Sequence, residues 1–517
     1  MLKVRDLMIS FSLANIIFIQ RWASLIYTDH YYLKYNPTQG IIAVMVCVLL
    51  SGTIIFLSSA ILIKLQFTYL NDIRKVILIA TMIYPLNFLR NTYALGVSDF
   101  YQLVVGHLGF SAAKIAIALF GMFIFILIFV FRDFLSSGVR IIALISAPFV
   151  VVTILKSIWM ISNLNPALFS EKSPIKADKT ISGGNKGRVV WIIFDELDQQ
   201  FLFDKRPNDL QLPEIDQLKA RSFYASNAFP PAGSTLLSIP SLITGKLVRN
   251  AQPAGANELS IEFSDVSSTV KFSEQKNVFS DVQAMGYKTA SVGWYHSLGR
   301  VLKKDLDQSS WYAYRYYSGN PDIGLVNEII NQFCDVLNLS GYTSLFTESI
   351  SMQYHLTMLT TLLSESMQVV GNPNLDLVML HLPVPHIPYL YDMKSKHFVK
   401  SHIVSDGYFN NLALVDKTIK DIRTTLHQNG LEERTAIIIS SDHWWRAKNM
   451  MSGTKDYRVP FILFLLNSYS ETHYDKPFNT VLTRQIITEL LAGKIVDYES
   501  LVHWLNDRRT IGKSPLY

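Results

Sequence analysis

Three apolar runs in the later two-thirds of this sequence lead into residue types that bind cations. Val189-Val-Trp-Ile-Ile-Phe194 runs into Asp195-Glu196, Leu377-Val-Met-Leu380 into His381, and Ala436-Ile-Ile-Ile-Ser440 toward Asp442-His443. Each run is apolar on both faces, the pattern of a central strand in a parallel sheet. An isolated Asp after a strand is usually a turn or cap residue. Carboxylates and imidazoles at the ends of three strands carry more weight, because a divalent cation needs such ligands converging from separate segments.

A hydroxyl stands beside this constellation. Pro230-Pro-Ala-Gly-Ser-Thr235-Leu-Leu-Ser-Ile-Pro-Ser-Leu-Ile-Thr-Gly245 is a small-residue loop leading into a short apolar helix closed by Gly245. The start of such a helix offers free backbone N–H groups, which favour an anionic tetrahedral group. Ser234 or Thr235 could simply cap the first turn. Alongside the metal-type groups, a nucleophile ionised by a metal is the better reading of Thr235.

The elements that must position these groups read as an α/β domain. Helical segments such as Asn410–Gln428 separate the strands, and the reactive types fall at strand C-terminal ends, where open sheets place their sites. The first third is different. Of 517 residues, 49% are hydrophobic and 17% charged, and the excess sits in apolar stretches near Leu7–Tyr27, Ile41–Ile63, Val76–Leu95, Ile115–Phe131 and Ile141–Ile161. Each approaches the roughly 20 residues a membrane-spanning helix needs. With five spans and a cytoplasmic N-terminus, Lys3, Arg5, Lys64, Arg74, Lys75, Arg132 and Arg140 all fall inside, as the positive-inside tendency requires. The sequence thus divides into a five-helix membrane domain over residues 1–165, a polar Gly/Ser/Lys-rich linker over 166–187, and an extracytoplasmic domain over 188–517.

A net charge of +6 without a Lys/Arg block excludes a nucleic-acid stripe. The two cysteines, Cys47 and Cys334, offer neither a CxxC spacing nor a plausible bridge.

In order along residues 188–495, the chain resembles the sulfatase branch of the alkaline phosphatase superfamily. Val189 to Glu196 looks like its first strand with paired acidic ligands. Leu212–Leu218 and Ser222–Asn227 resemble the segment before the nucleophile, and Thr235 stands ten residues before the closing glycine, where sulfatases carry theirs. Gly286 to His296, Pro385-His386-Ile-Pro-Tyr389, Tyr408 to Asp416, Ser441-Asp442-His443, and Lys455 with Tyr457–Phe461 complete the series. Sulfatases mature a Cys or Ser to formylglycine, which Thr235 cannot undergo. Trp294 replaces an expected lysine, and Asp442-His443 replaces Asp-Asn.

These departures, together with the membrane stretches, resemble phosphoethanolamine transferases and lipoteichoic acid synthases. Thr235-x-x-Ser-x-Pro240 and the spacing of His381 and His386 match the former. Trp444-Trp445 departs from it, as does the absence of a histidine between there and Val459.

Resemblance and residue chemistry together imply an α-helical five-span membrane domain joined to an α/β sulfatase-like domain with a mostly parallel central sheet. They imply one divalent metal ion, zinc or manganese ahead of calcium, held by Asp195, Glu196, Asp442 and His443 with Thr235. Thr235 would attack a phospholipid donor, with His386 as catalytic partner and His296, His381, His386 and Lys455 binding substrate. The acceptor would be lipid A, a glycan or another envelope component outside a bacterial inner membrane. Two alternatives are a sulfatase-like hydrolase of phosphodiesters or sulfate esters, and an inactive membrane scaffold. Trp444-Trp445 and Trp311–Tyr317 are read as interfacial anchors, an acceptor rim or core aromatics.

Overall fold

The computed structural model describes residues 4–26, 32, 37–64, 68–92, 110–163, 172–173, 187–266, 268–313, 324–336, 344–399, 404–448, 456–465 and 471–508. The chain forms two compact units. One comprises Met1–Thr28, Tyr35–Asn165 and Ser318–Glu348; the other comprises Asp29–Lys34, Pro166–Tyr317 and Ser349–Tyr517.

The first unit is helical. Thr38–Lys64 and Arg132–Asn163 are each long and apolar enough to cross a membrane. Val4–Ile17 and Ile19–Ile26, bent by 61° where they meet, make a third span if they act as one. The described helices therefore supply two or three candidate spans where the sequence suggests five. The stretch from Val76 is divided between Thr68–Ala80 and Ile83–Thr92. Pro85 lies in the first turn of the second piece, where its missing N–H costs nothing, but it cannot continue a preceding helix. The stretch from Ile115 lies on Phe110–Val130, a helix of 21 residues. Val4–Ile17 packs against both long helices. Asn15 accepts from Thr153 Oγ1 at 3.1 Å, the kind of polar contact that joins helices in lipid. Apolar side chains such as Ile54, Leu57, Phe123 and Phe149 face outward, which fits a membrane anchor and not a helix in water.

The second unit is built on a ten-stranded sheet. Its strands are β1 (Lys172–Ser173), β2 (Arg188–Phe194), β3 (Phe223–Phe229), β7 (Thr289–Trp294), β8 (Gln308–Tyr312), β9 (Leu377–Leu382), β12 (Thr435–Ser441), β13 (Val459–Phe464), β14 (Thr472–Tyr474) and β15 (Phe478–Asn479). A separate three-stranded sheet holds β4 (Val248–Pro253), β5 (Leu259–Phe263) and β6 (Thr269–Lys271), and β10 (Tyr391–Asp392) pairs with β11 (His397–Phe398). The large sheet runs β1-β8-β7-β9-β2-β12-β13-β3-β14, with β15 beside β3. Strands β8, β7, β9, β2 and β12 are mutually parallel; β13 is antiparallel to both neighbours.

The three apolar runs are β2, β9 and β12, side by side at the centre. All seven residues of β2 and all six of β9 are buried. Their sequences are apolar on both faces because helices cover both faces of a parallel sheet. Register does the rest. Phe194 of β2 pairs with Ser441 of β12 on one side and Leu382 of β9 on the other. The next residues, Asp195 and Asp442, therefore leave adjacent parallel strands at the same level.

Candidate active site

Thr235 is the first residue of the helix Thr235–Thr244, whose C-cap is Gly245 in the left-handed conformation at φ 65°. The N-cap is Ser234, with extended backbone and no capping bond from its side chain. Capping thus accounts for neither hydroxyl. Ser238 Oγ, one turn on, donates to Ala232 O at 2.9 Å and ties the helix to the preceding loop.

The Thr235 side chain enters a buried acid cluster. Its hydroxyl donates to Asp442 Oδ2 at 2.7 Å, with Asp195 Oδ2 at 3.4 Å and His443 Nε2 at 3.3 Å. His443 Nε2 lies 3.6 Å from Asp195 Oδ1 and 3.5 Å from Asp442 Oδ2. His443 Nδ1 contacts Trp444 O at 2.9 Å. A proton on Nδ1 for that bond leaves the Nε2 lone pair facing the carboxylates, the arrangement a metal-binding imidazole requires.

Asp195, Asp442 and His443 each offer a ligand atom within 4.8 Å of the others, and all three are buried. Asp195 Oδ1 is buried with no hydrogen-bond partner among the described residues. Burial, then the Asp442 carboxylate, pushes the Asp195 pKa well above the ordinary carboxylate range. Burial acts the same way on Asp442, but His443, His381 and the Thr235 hydroxyl outweigh it and hold that carboxyl low. An acid pair with an unused oxygen and an imidazole lone pair suits a borderline divalent cation. The residues fit the metal that enzymes of this superfamily use.

The other expected site residues are placed less uniformly. Glu196, at φ 64°, is buried next to the cluster, but its carboxylate accepts from Arg446 Nε at 3.0 Å. It stands outside the convergent group of three. His381 sits on β9, its Nε2 3.9 Å from Asp442 Oδ2 and its Nδ1 3.2 Å from Trp294 O. Burial pushes its pKa down to about 4. His386 is buried, with Nδ1 2.5 Å from Ile387 O and its ring edge-on to Trp294; burial lowers its pKa as well. His296 contacts the backbone of Thr235, Nε2 to Thr235 O at 3.0 Å, and burial pushes it down to about 3. Lys455 lies outside the described residues. Trp445 is fully buried and stacks on Tyr408 at 3.9 Å. Trp444 packs on Tyr457 and over Gly233, where a side chain would come within 2.6 Å of the indole. Both are core aromatics, as are Trp311 and Tyr312 on β8; residues 314–317 lie outside the described ones.

Several supporting residues were not read as site residues from the sequence, although Tyr408 opens one of the family-like blocks. Tyr32, distant in sequence, is fully buried in this unit and its hydroxyl lies 2.8 Å from His296 Nδ1. Tyr408 donates to Glu196 O at 2.8 Å. Asp198 and Lys448 form a fully buried ion pair at 2.5 Å. That pair joins the loop after β2 to the loop after β12, the two loops that carry the metal-type ligands. Only an Asp two residues past a predicted ligand hinted at it.

Residues 188–489, more than half of the chain, match the family model described as Sulfatase. The chain matches no curated protein. Among solved structures, Ps i-CgsB is similar at 15% identity and a TM-score of 0.44, over 61% of this chain and 74% of that one. The phosphonate monoester hydrolase of Agrobacterium radiobacter is 12% identical with a TM-score of 0.40, over 59% and 74%. A protein in the alkaline phosphatase superfamily from Vibrio parahaemolyticus is 13% identical with a TM-score of 0.37, over 60% and 67%. The ordered sequence blocks, the sheet that gathers them and the family match agree: the chain belongs to the sulfatase family.

Proposed function

We propose that this sulfatase-family enzyme is a membrane-bound phosphotransferase. It moves a phospho-head group, of the phosphoethanolamine or phosphoglycerol type, from a phospholipid to a cell-envelope acceptor such as lipid A or a glycan. The observation that carries this reading is the Thr235 hydroxyl, 2.7 Å from Asp442 at the start of a helix, in a chain whose N-terminal helices include candidate membrane spans. Threonine cannot become formylglycine, so the nucleophile is the hydroxyl itself. Five spans with an internal N-terminus would put the catalytic domain outside the cytoplasm, near a lipid donor.

In the first half-reaction, Thr235 Oγ1 bonds to phosphorus as the bond from phosphorus to the diacylglycerol oxygen breaks. The hydroxyl proton passes to Asp442 Oδ2, its hydrogen-bond acceptor. A zinc or manganese ion held by Asp195, Asp442 and His443, next to Glu196, would lower the hydroxyl pKa and offset phosphoryl charge. His386 is the candidate proton donor to the departing oxygen, and the charge of the arriving phosphodiester would have to restore the protonated form that burial disfavours. His296 orients the nucleophile's backbone, and His381 and Lys455 are candidates to hold phosphoryl oxygens. In the second half-reaction an acceptor hydroxyl attacks phosphorus and gives its proton to the now neutral His386, while the bond from phosphorus to Thr235 Oγ1 breaks and Asp442 returns the proton to that oxygen.

Family membership favours one competing reading, in which water replaces the acceptor and the enzyme is a hydrolase. The test is an intact mass and peptide map of detergent-purified protein incubated with mixed phospholipids and zinc or manganese. A mass increment on the Thr235 peptide, absent in Thr235→Ala, is expected, and its size identifies the group transferred. Turnover of small phosphodiesters with no increment from lipid would replace the transferase by the hydrolase. Metal binding with neither adduct nor turnover would leave an inactive scaffold.

A further inference from the structure

Residues 318–348 fall between β8 and β9 in sequence, yet they cluster with the N-terminal helices. Their described helix, Leu325–Val336, is amphipathic with the polarity of a soluble surface helix reversed. Glu328 and Gln332, one turn apart, are each 1% exposed, whereas Val326 and Ile330 are 70% and 50% exposed. At the period of an α-helix, 326 and 330 share one stripe and 328 and 332 lie on the other. Gln332 donates to Glu328 Oε1 at 2.7 Å, so the two buried polar groups satisfy each other in part.

The polar side faces the apolar helices. Leu325–Val336 packs against Thr38–Lys64, where Cys47 Sγ donates to Ile329 O at 3.7 Å. Cys47 lies nine residues past Thr38, roughly 14 Å along a helix, well inside the apolar stretch. Asp335 pairs with Arg21, and Phe333 meets Phe18 edge-on with ring centroids 5.8 Å apart.

Water would favour the opposite arrangement, since burying Glu and Gln while exposing Val and Ile is unfavourable on both counts. In hydrocarbon the signs reverse: apolar side chains face outward without cost, and ionisable groups must turn inward and pair. The neighbouring helix Thr38–Lys64 shows the same outward apolar character, with Leu49, Leu50 and Ile54 exposed.

We propose that Leu325–Val336 is a membrane-embedded helix whose Val326 and Ile330 face lipid acyl chains, with the Glu328–Gln332 pair turned inward and Asp335 tying the helix to Arg21 of the first helices. The proposal rests on reading the N-terminal helices as membrane spans. Its consequence is a second anchorage: the chain returns to the lipid phase between two strands of the catalytic sheet.

The test uses full-length protein carrying Cys47→Ala and Cys334→Ser. Single cysteines replace Val326, Ile330, Ile54 or Val496 and are labelled with an environment-sensitive fluorophore. Each variant is reconstituted into phosphatidylcholine–phosphatidylglycerol vesicles with or without brominated acyl chains. Labels at 326 and 330 are expected to be quenched at least half as much as the label at 54. The label at 496, on the other unit and 64% exposed, is expected to be unaffected. Quenching at 54 alone would overturn the proposal and leave the membrane reading intact. No quenching at 54 either would overturn both. Cross-linking of two copies through position 326 without quenching would assign the face to a second copy and also overturn it. If Cys47→Ala perturbs the helix, the same series with the buried Cys47 retained gives the same readout.

Discussion

Asp195 and Asp198 are three residues apart on one loop, both inaccessible to solvent, and their surroundings could hardly differ more. Asp198 is satisfied on every side. Its Oδ2 accepts from Lys448 Nζ at 2.5 Å and Trp445 N at 3.2 Å, and its Oδ1 from Gln200 N at 3.0 Å. Asp195 has another carboxylate for a neighbour and an oxygen without a partner among the described residues. Buried polar groups in native proteins are normally paired, so an exception asks for a reason. Asp198 holds two loops together; Asp195 belongs to a buried group of three that could hold a cation. Residue type does not separate them: the position directly at the end of the apolar run singled out Asp195, and nothing local gave Asp198 its lysine.

The largest expected effect breaks the Asp195 side. Asp195→Asn removes a ligand and should lower activity by at least about 100-fold, since a bound metal supplies several kcal/mol of transition-state stabilisation. Yet the metal-free variant should melt higher than the metal-free parent, because a buried carboxylate beside Asp442 has been neutralised. Thermal unfolding with chelator, set beside steady-state rates, checks both; a lower melting point would show that Asp195 is structural after all.

The Asp198 side predicts the converse. Lys448→Met leaves a buried carboxylate uncompensated and should cost about 3–5 kcal/mol of stability. Adding Asp198→Asn should recover much of that loss, which denaturant titration of both variants would measure. Burial holds the Asp198 pKa above the ordinary value despite Lys448, so desolvation of that carboxyl outweighs what its partner returns.

Acid should act through the histidines. His296 and His381, pushed down to about 3 and about 4 by burial, are uncharged in the folded protein and titrate near 6.5 when unfolded. The unfolded chain therefore binds more protons, and stability should fall as pH drops from about 6.5 toward those values. Raised Asp195 acts in the opposite sense: metal-free protein should lose stability as pH rises above about 4, the unfolded carboxylate value. The gain in melting temperature on adding zinc should consequently grow with pH, because the metal takes the place of a proton. A gain independent of pH would contradict the assignment of Asp195.

The smallest effect tests the support beneath the nucleophile. Tyr32→Phe deletes the hydroxyl next to His296 Nδ1 and should cost about 1 kcal/mol of stability. Rates should fall by less than tenfold, with the acid limb of the pH profile displaced if Tyr32 sets the imidazole's protonation.

Much of this was legible in the chain. Runs apolar on both faces identified β2, β9 and β12, because a strand covered by helices on both sides has no polar face to show. The Thr235 helix and its glycine stop were readable because a left-handed C-cap favours glycine so strongly. Asp195, Asp442 and His443 could be named as candidate ligands because their types and strand-end positions are local properties. Span number was less legible: hydropathy registers a stretch such as 76–95 as one segment, while the backbone divides it ahead of Pro85.

Tertiary structure alone decided which acids converge. A register in which Phe194 faces Ser441 puts Asp195 next to Asp442, turns Glu196 toward Arg446, and gives Asp198 to Lys448. It also brought Tyr32 against His296 across 264 positions and grouped residues 318–348 with the N-terminal helices. Composition and periodicity report what a segment can bury, which is local; the partner that satisfies a buried charge comes from elsewhere in the chain, and only packing chooses it.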